Sequence, residues 1–384
     1  MEAMGINSNV HAGGKIFHIQ TAADPARSMF QAEIFEKGRV IMVQKKNVDA
    51  SRMKDWDKDK IKDFLNEFHQ EIAWEIELLF FIRDKIKTIK HAVSHNKMGL
   101  IFLRKGMVEE AIVEFENAIE KNPSLVESYN NLGLAFMQLG NHTKAIEILQ
   151  KGCEMEPQFA DLKNNLGMAY SKAGMFTHAL SAYEAALAIN PKYSEAHLNS
   201  IITLLESNRA KTNTDDLPPV AARKATILHV LEKVIASNPD FANFRFYSFR
   251  FEKLGKQIES GETIQAIETI NEIKDAIGKP NLDEIMHGFY LKFLFGGAGK
   301  NESILEQYRI KLEKAVETNP NYADLHNSLG LLFLIQCRNL FLKAMMQFKK
   351  AYEINPSYKS AYKNFRLVHN DGREFLNLLR AIIK

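Results

Sequence analysis

Asparagine returns at a fixed interval in this chain: Asn131, Asn165 and Asn199 stand 34 residues apart. An amide side chain offers a hydrogen-bond donor and an acceptor together. A row of amides can therefore grip the backbone of an extended peptide whatever its side chains. Asparagine is a poor helix former, so its recurrence within segments patterned as helices asks for a reason. The competing explanation is an exposed polar face on a helix that needs one.

Other residue types that could do chemistry are scattered or incomplete. The 12 histidines form no His-x-x-x-His or Glu-x-x-His arrangement with further ligands, so no metal centre is expected. Nor is there a nucleophile motif or a glycine-rich cofactor loop after a strand. Gly296-Gly297-Ala298-Gly299-Lys300-Asn301 resembles a phosphate loop only superficially. It lacks the earlier glycine, and Asn301 replaces the hydroxyl that would hold magnesium. No cofactor and no catalysis are expected. The two cysteines, Cys153 and Cys337, are far apart and argue for a reducing compartment, which reads as cytoplasmic.

Two charged or aromatic stretches invite a nucleic-acid reading. Residues 243–251 interleave rings and arginines, with Phe246, Tyr247 and Arg250 at the centre, as single-strand platforms do. The alternative is that most of these rings fill the interior of a degenerate helix pair. A basic run, Arg83, Lys85, Lys87, Lys90, Lys97, Arg104 and Lys105, precedes an acidic one that includes Glu109, Glu110 and Glu114. The two runs can pair with each other, and the basic face can equally be solvated or dock an acidic partner. A net charge of +3 is too small to argue for nucleic acid or an anionic membrane.

The elements that must position these residues follow from a repeat. Gly99, Gly133 and Gly167 are 34 apart, as are Ala111, Ala145 and Ala179, and so are Pro123, Pro157 and Pro191. In the third unit Leu162, Leu166, Ala169 and Tyr170 keep a helical spacing and Gly174 closes that helix; Ala179, Leu180, Tyr183, Ala186 and Leu187 continue a second. Small residues let the paired backbones approach, aromatic ones fill the space beside them, and proline separates the units. Each unit is too small to bury its own apolar face, so the units must stack as a solenoid.

This pattern resembles the tetratricopeptide repeat family. The second unit offers Tyr129, Leu132, Gly133, Phe136, Ala145, Leu149, Gly152 and Pro157 at the family's positions, the third offers Lys163, Leu166, Gly167, Tyr170, Ala179, Tyr183, Ala186 and Pro191, and the first fits from His95 to Pro123. The resemblance implies a mainly α superhelix whose first helices line a concave, peptide-binding groove. Carried over, that groove holds Asn130, Asn131, Leu134 and Gln138, then Asn164, Asn165, Met168 and Lys172, with Asn96 and Lys97 on one side and Asn199 on the other. Family members that clamp a chaperone's C-terminal carboxylate use a Lys, Asn, Asn, Lys, Arg set. Here Asn96, Leu100, Asp161 and Asn165 depart from it and only Asn131 agrees, and Asp161 would repel a carboxylate.

The remaining chain divides around these units. Residues 1–50 read as a small three-stranded antiparallel sheet on one hairpin, from the alternation in 15–20 and 30–35 and the turn at Glu36-Lys37-Gly38. Residues 51–91 form a long connecting helix with a main apolar stripe and a second one at Trp74, Leu78 and Phe81, which implies two partners: the sheet, and either the first repeat or a second copy of the chain. Three regular repeats occupy 92–193. Degenerate helical repeats follow over 194–322, with an inserted loop near 208–219, and 323–384 is read as one more repeat plus capping helices. No secretory signal and no membrane-length apolar run are seen. The expected function is a non-catalytic scaffold or adaptor that binds another protein or peptide in the groove, with possible self-association through the N-terminal module. A nucleic-acid binder is the alternative.

Overall fold

The computed structural model describes residues 4–49, 53, 56–87, 91–211, 217–277, 293, 302–318, 323–357 and 359–383. They fall into two compact units, 1–278 and 279–384.

The first unit opens with a sheet of four strands, one more than the sequence pattern suggests: β1 (Met4–Ala12), β2 (Lys15–Asp24), β3 (Met29–Glu36) and β4 (Arg39–Asn47), antiparallel in sequential order. The missed strand is β1, whose Gly5, Asn7, Ser8 and Asn9 are weak strand formers. Its signal is the turn: Gly13 and Gly14 both have positive φ, as a two-residue hairpin requires. Phe17, Ile19, Phe30, Ala32, Ile34 and Met42 are buried on one face.

Helix α1 (Lys58–Ile86) covers that face. The Asp57 side chain caps it by accepting from the Lys60 amide at 2.8 Å, and Ile61, Leu65, Phe68, Ile72, Ile76 and Leu79 form the buried stripe. Burying a side chain of this size contributes roughly 1.5–3 kcal/mol, so the stripe holds the sheet that could not stand alone. Phe80 joins the module to the first repeat, with its ring 5.2 Å from Phe17 and 5.5 Å from Phe102. The second stripe splits. Leu78 is buried, whereas Trp74 and Phe81 stay 46% and 56% exposed.

Three helix pairs follow: α2 (Ala92–Arg104) with α3 (Val108–Lys121), α4 (Val126–Gln138) with α5 (His142–Met155), and α6 (Ala160–Lys172) with α7 (Phe176–Ile189). The glycine phase has a direct packing cause. A Cβ on Gly99, Gly133 or Gly167 would stand 2.5, 2.4 or 2.5 Å from Phe115, Leu149 or Tyr183 of the partner helix. Between pairs, the Asn-Pro turns close through the asparagine side chain: Asn122 Oδ1 accepts from the Ser124 amide at 3.1 Å and Asn190 Oδ1 from the Lys192 amide at 3.2 Å.

Members of both runs find partners outside them. Lys105 reaches back to Glu75 of α1 at 2.7 Å, Arg83 and Lys87 bind Asp84, Glu110 bonds Lys15 of β2, and Glu114 accepts from buried His95 at 2.7 Å. Lys90 lies outside the described residues.

The fourth repeat pairs α8 (Ser194–Arg209) with α9 (Val220–Ser237), the inserted loop between them being described only at 210–211 and 217–219. Beyond a short α10 (Pro239–Asn243) come α11 (Arg245–Ser260) and α12 (Thr263–Ile277). In the earlier repeats first helices pack on first helices; here the second helix, α12, lies against α8 while α11 lies against α9.

The second unit contains α13 (Glu302–Thr318), α14 (Ala323–Ile354) and α15 (Lys359–Ile383), with a core that includes Leu305, Leu312, Leu325, Leu332 and Ile335. The repeat expected over 323–356 is one uninterrupted helix of 32 residues. Regular repeats break after their first helix at Gly106, Gly140 and Gly174, all with φ above +70°, and nothing between Gln336 and Leu342 can adopt that conformation as readily. The two capping helices are likewise one, with Gly372 giving room to the Phe341 ring of α14. This merging makes 325–354 long and apolar enough to cross a bilayer by length and composition alone, contrary to the reading of its two halves. Of the helix pair expected over about 281–320, the first helix and the turn at 296–301 lie outside the described residues apart from Phe293.

Candidate functional site

The asparagines named from the repeat spacing come together as a ladder. Asn131 Nδ2 donates to Asn96 Oδ1 at 3.0 Å, Asn165 Nδ2 to Asn130 Oδ1 at 2.8 Å, and Asn199 Nδ2 to Asn164 Oδ1 at 2.9 Å. Each bond joins the first helix of one repeat to that of the next. Every position is buried except half-buried Asn130, so the reading of these residues as an exposed polar face is overturned. Burial explains the pairing, because an amide shut away from water must find a partner.

Leu134 and Met168 are half-buried one turn further along α4 and α6, while Lys97, Gln138 and Lys172 are exposed. Asn164 Nδ2 also lies 3.9 Å from the Met168 sulfur. The residues on these helices thus grade from amide pairs through partly covered apolar side chains to exposed polar ones.

Two participants were not among the sequence candidates for the wall. Tyr193 is hydrogen-bonded to Asp161 and touches Asn164; burial, and then the Asp161 carboxylate, push its phenol above the usual tyrosine range. It therefore stays protonated and donates. Lys274, from α12, donates to Asn199 Oδ1 at 2.7 Å and lies 3.6 Å from Glu195. The Lys274 contact follows from α12 lying on α8, a tertiary event that no local pattern announces. A separate hollow of about 680 Å³ opens between α7, α8 and α9. There His197 binds the Pro191 carbonyl at 3.2 Å, and burial with nearby Lys233 lowers its pKa.

The aromatic patch is differently disposed. Phe251 is buried and Tyr247 packs on Phe241 with ring centroids 5.2 Å apart, its hydroxyl donating to the Ala276 carbonyl. Phe244, Phe246 and Phe249 are exposed, so most of the rings do not fill the interior. Arg250 stacks on Phe246 at 3.6 Å and binds Glu272 through Nε at 3.1 Å. Among the described residues no group of acidic, histidine or cysteine side chains is placed to hold a metal ion.

Family models decide what the paired helices are. A TPR repeat model matches residues 99–140, and two tetratricopeptide repeat models match 126–159 and 160–193. Residues 99–193 of this chain are tetratricopeptide repeats. Its repeats carry a small N-terminal sheet in front of them. Among solved structures, the repeats resemble MamA at 17% identity over 49% of this chain and 99% of that one, with a TM-score of 0.37. They also resemble YrrB, described as a TPR protein with an unusual peptide-binding site, at 21% identity over 49% of this chain and 88% of that one, TM-score 0.35. PilF of Pseudomonas aeruginosa shares 18% identity over 61% and 95%, TM-score 0.36. Scores this low add nothing to the family assignment. No curated protein matches the chain in sequence.

Proposed function

We propose that this tetratricopeptide repeat protein is a non-catalytic adaptor holding an extended stretch of another protein along the first helices of residues 92–209, in a reducing compartment such as the cytoplasm. The ladder carries the reading. Because Asn131 Nδ2 is committed to Asn96 and Asn130 Oδ1 to Asn165, Asn131 keeps an acceptor and Asn130 a donor for a ligand. One repeat thus offers the complement of one peptide group in a fixed orientation, and pre-set amides lose little entropy on binding. Leu134 and Met168 supply apolar surface beside them.

Panning random peptides on the full chain tests this. Binders are expected to compete with one another and to lose about tenfold or more in affinity in Leu134→Lys and Met168→Lys. Binders indifferent to both changes would overturn the groove. The nucleic-acid reading is weaker, since Arg250, its central cation, is already engaged by Glu272.

A further inference from the structure

The two edges of the N-terminal sheet are treated unequally. The β4 edge carries Arg39, Lys45 and Lys46 and a register shift opposite Ile34 and Phe35, and the turn after α2 closes over it: a Cβ on Gly106 would lie 2.1 Å from the Ile41 carbonyl. Charges, irregularities and cover are the usual protections of an edge. The β1 edge has neither the charges nor the irregularity. Its nine residues, Met4–Ala12, contain no charged side chain and no proline, pair with β2 without a shift, and have no other strand beside them among the described residues.

The strand is also complementary to itself. Turned antiparallel about Ser8, it places Met4 opposite Ala12, Ile6 opposite Val10 and Asn7 opposite Asn9. Met4, Ile6, Ser8, Val10 and Ala12 share the face covered by α1, where Ser8 Oγ lies 2.7 Å from His69 Nε2; Gly5, Asn7, Asn9 and His11 are exposed on the other. Apolar residues thus meet apolar ones on the covered face, and amides meet amides on the wet face. Pairing about Ser8 keeps both α1 helices on the same side and uses all nine residues; moving the centre to Asn7 or Asn9 keeps the side but leaves residues unpaired. Opposed side chains of like character are what stabilises an antiparallel pair.

We infer that β1 is a homodimer edge: two copies join β1 to β1 about Ser8 and form one continuous eight-stranded sheet. The repeats of both copies then leave a single body, so a partner is gripped in duplicate. This surface is separate from the asparagine ladder and stands or falls without it.

Sedimentation and light scattering of the full chain across micromolar concentrations are expected to give the mass of two chains. Asn7→Lys with Asn9→Lys, which sets lysines opposite lysines on the exposed face, should return a monomer with unchanged helical circular dichroism. In a Cys153→Ser, Cys337→Ser background, Ser8→Cys should form an interchain disulfide, whereas His11→Cys, opposite Gly5, should not. A wild-type monomer at every concentration would overturn the inference. So would a dimer that survives the lysine pair, or one that is lost in Trp74→Ala with Phe81→Ala instead.

Discussion

Asn165 Nδ2 donates to Asn130 Oδ1 at 2.8 Å, and the same bond recurs one repeat earlier and one repeat later. The bond ties the first helices of adjacent repeats, and between α6 and α8 a second one joins it, Thr203 Oγ1 donating to Ser171 Oγ at 2.9 Å. It makes the amide row part of the stack as well as a candidate ligand surface.

Removing a rung should therefore cost stability as well as any bound peptide. Asn165→Ala breaks the bond to Asn130 and a longer one of 3.4 Å accepted from Asn164 Nδ2, and is expected to destabilise by about 1 kcal/mol. Asn199→Ala should cost more, because Asn199 also accepts from Lys274 and its loss leaves that ammonium and Asn164 without this partner. Urea denaturation of the two variants checks the order. Equal midpoints would mean that the Lys274 contact is not formed.

Glycine substitutions separate a tight contact from a strained turn. Gly167→Ala drives a methyl into the buried Tyr183 ring and should cost about 1–3 kcal/mol. Gly106 and Gly140 share a positive φ, +76° and +73°, but only Gly106 meets the sheet; nothing lies within 4 Å of the Gly140 position. Gly140→Ala should therefore show the backbone strain alone, about 1 kcal/mol. Gly106→Ala should lose more and speed hydrogen exchange in β4. Matching losses would show that the sheet does not rest on that turn.

Acid should weaken the first unit through two histidines. Burial lowers the pKa of His69 below its ordinary 6.5, and burial together with Lys233 lowers that of His197. A depressed folded value means that the unfolded chain takes up the proton first. The stabilisation is then complete above 6.5 and is lost as pH falls toward the folded pKa. Thermal melts should drop between about pH 7 and pH 5, and less steeply in His69→Gln with His197→Gln. An identical slope in that variant would remove both groups as the cause.

The regular repeats were legible because their packing is local. Gly99, Gly133 and Gly167 face a residue 16 positions ahead on the partner helix, so one period exposes glycine, aromatic and proline alike. The asparagines of the first helices were legible as a row for the same reason. Their bonds to one another were not, since those depend on how far one repeat is rotated against the next. Strand β1 was hidden by weak strand formers whose conformation the neighbouring strand and α1 impose. The long α14 was hidden by a repeat pattern that survives in Leu329, Gly330 and Ala344 after its turn glycine has gone.

By itself the sequence determined the helix pairs, their period and the residue types that line them, because spacing of small, large and helix-breaking residues acts within a single unit. Only the tertiary structure decided which polar groups are spent holding the stack together and which stay exposed. It also decided that α12 lies against α8 and that the turn at Gly106 closes over the β4 edge of the sheet. Those outcomes depend on contacts between segments far apart in the chain, where burial forces an amide or an ammonium to bond whatever comes within reach.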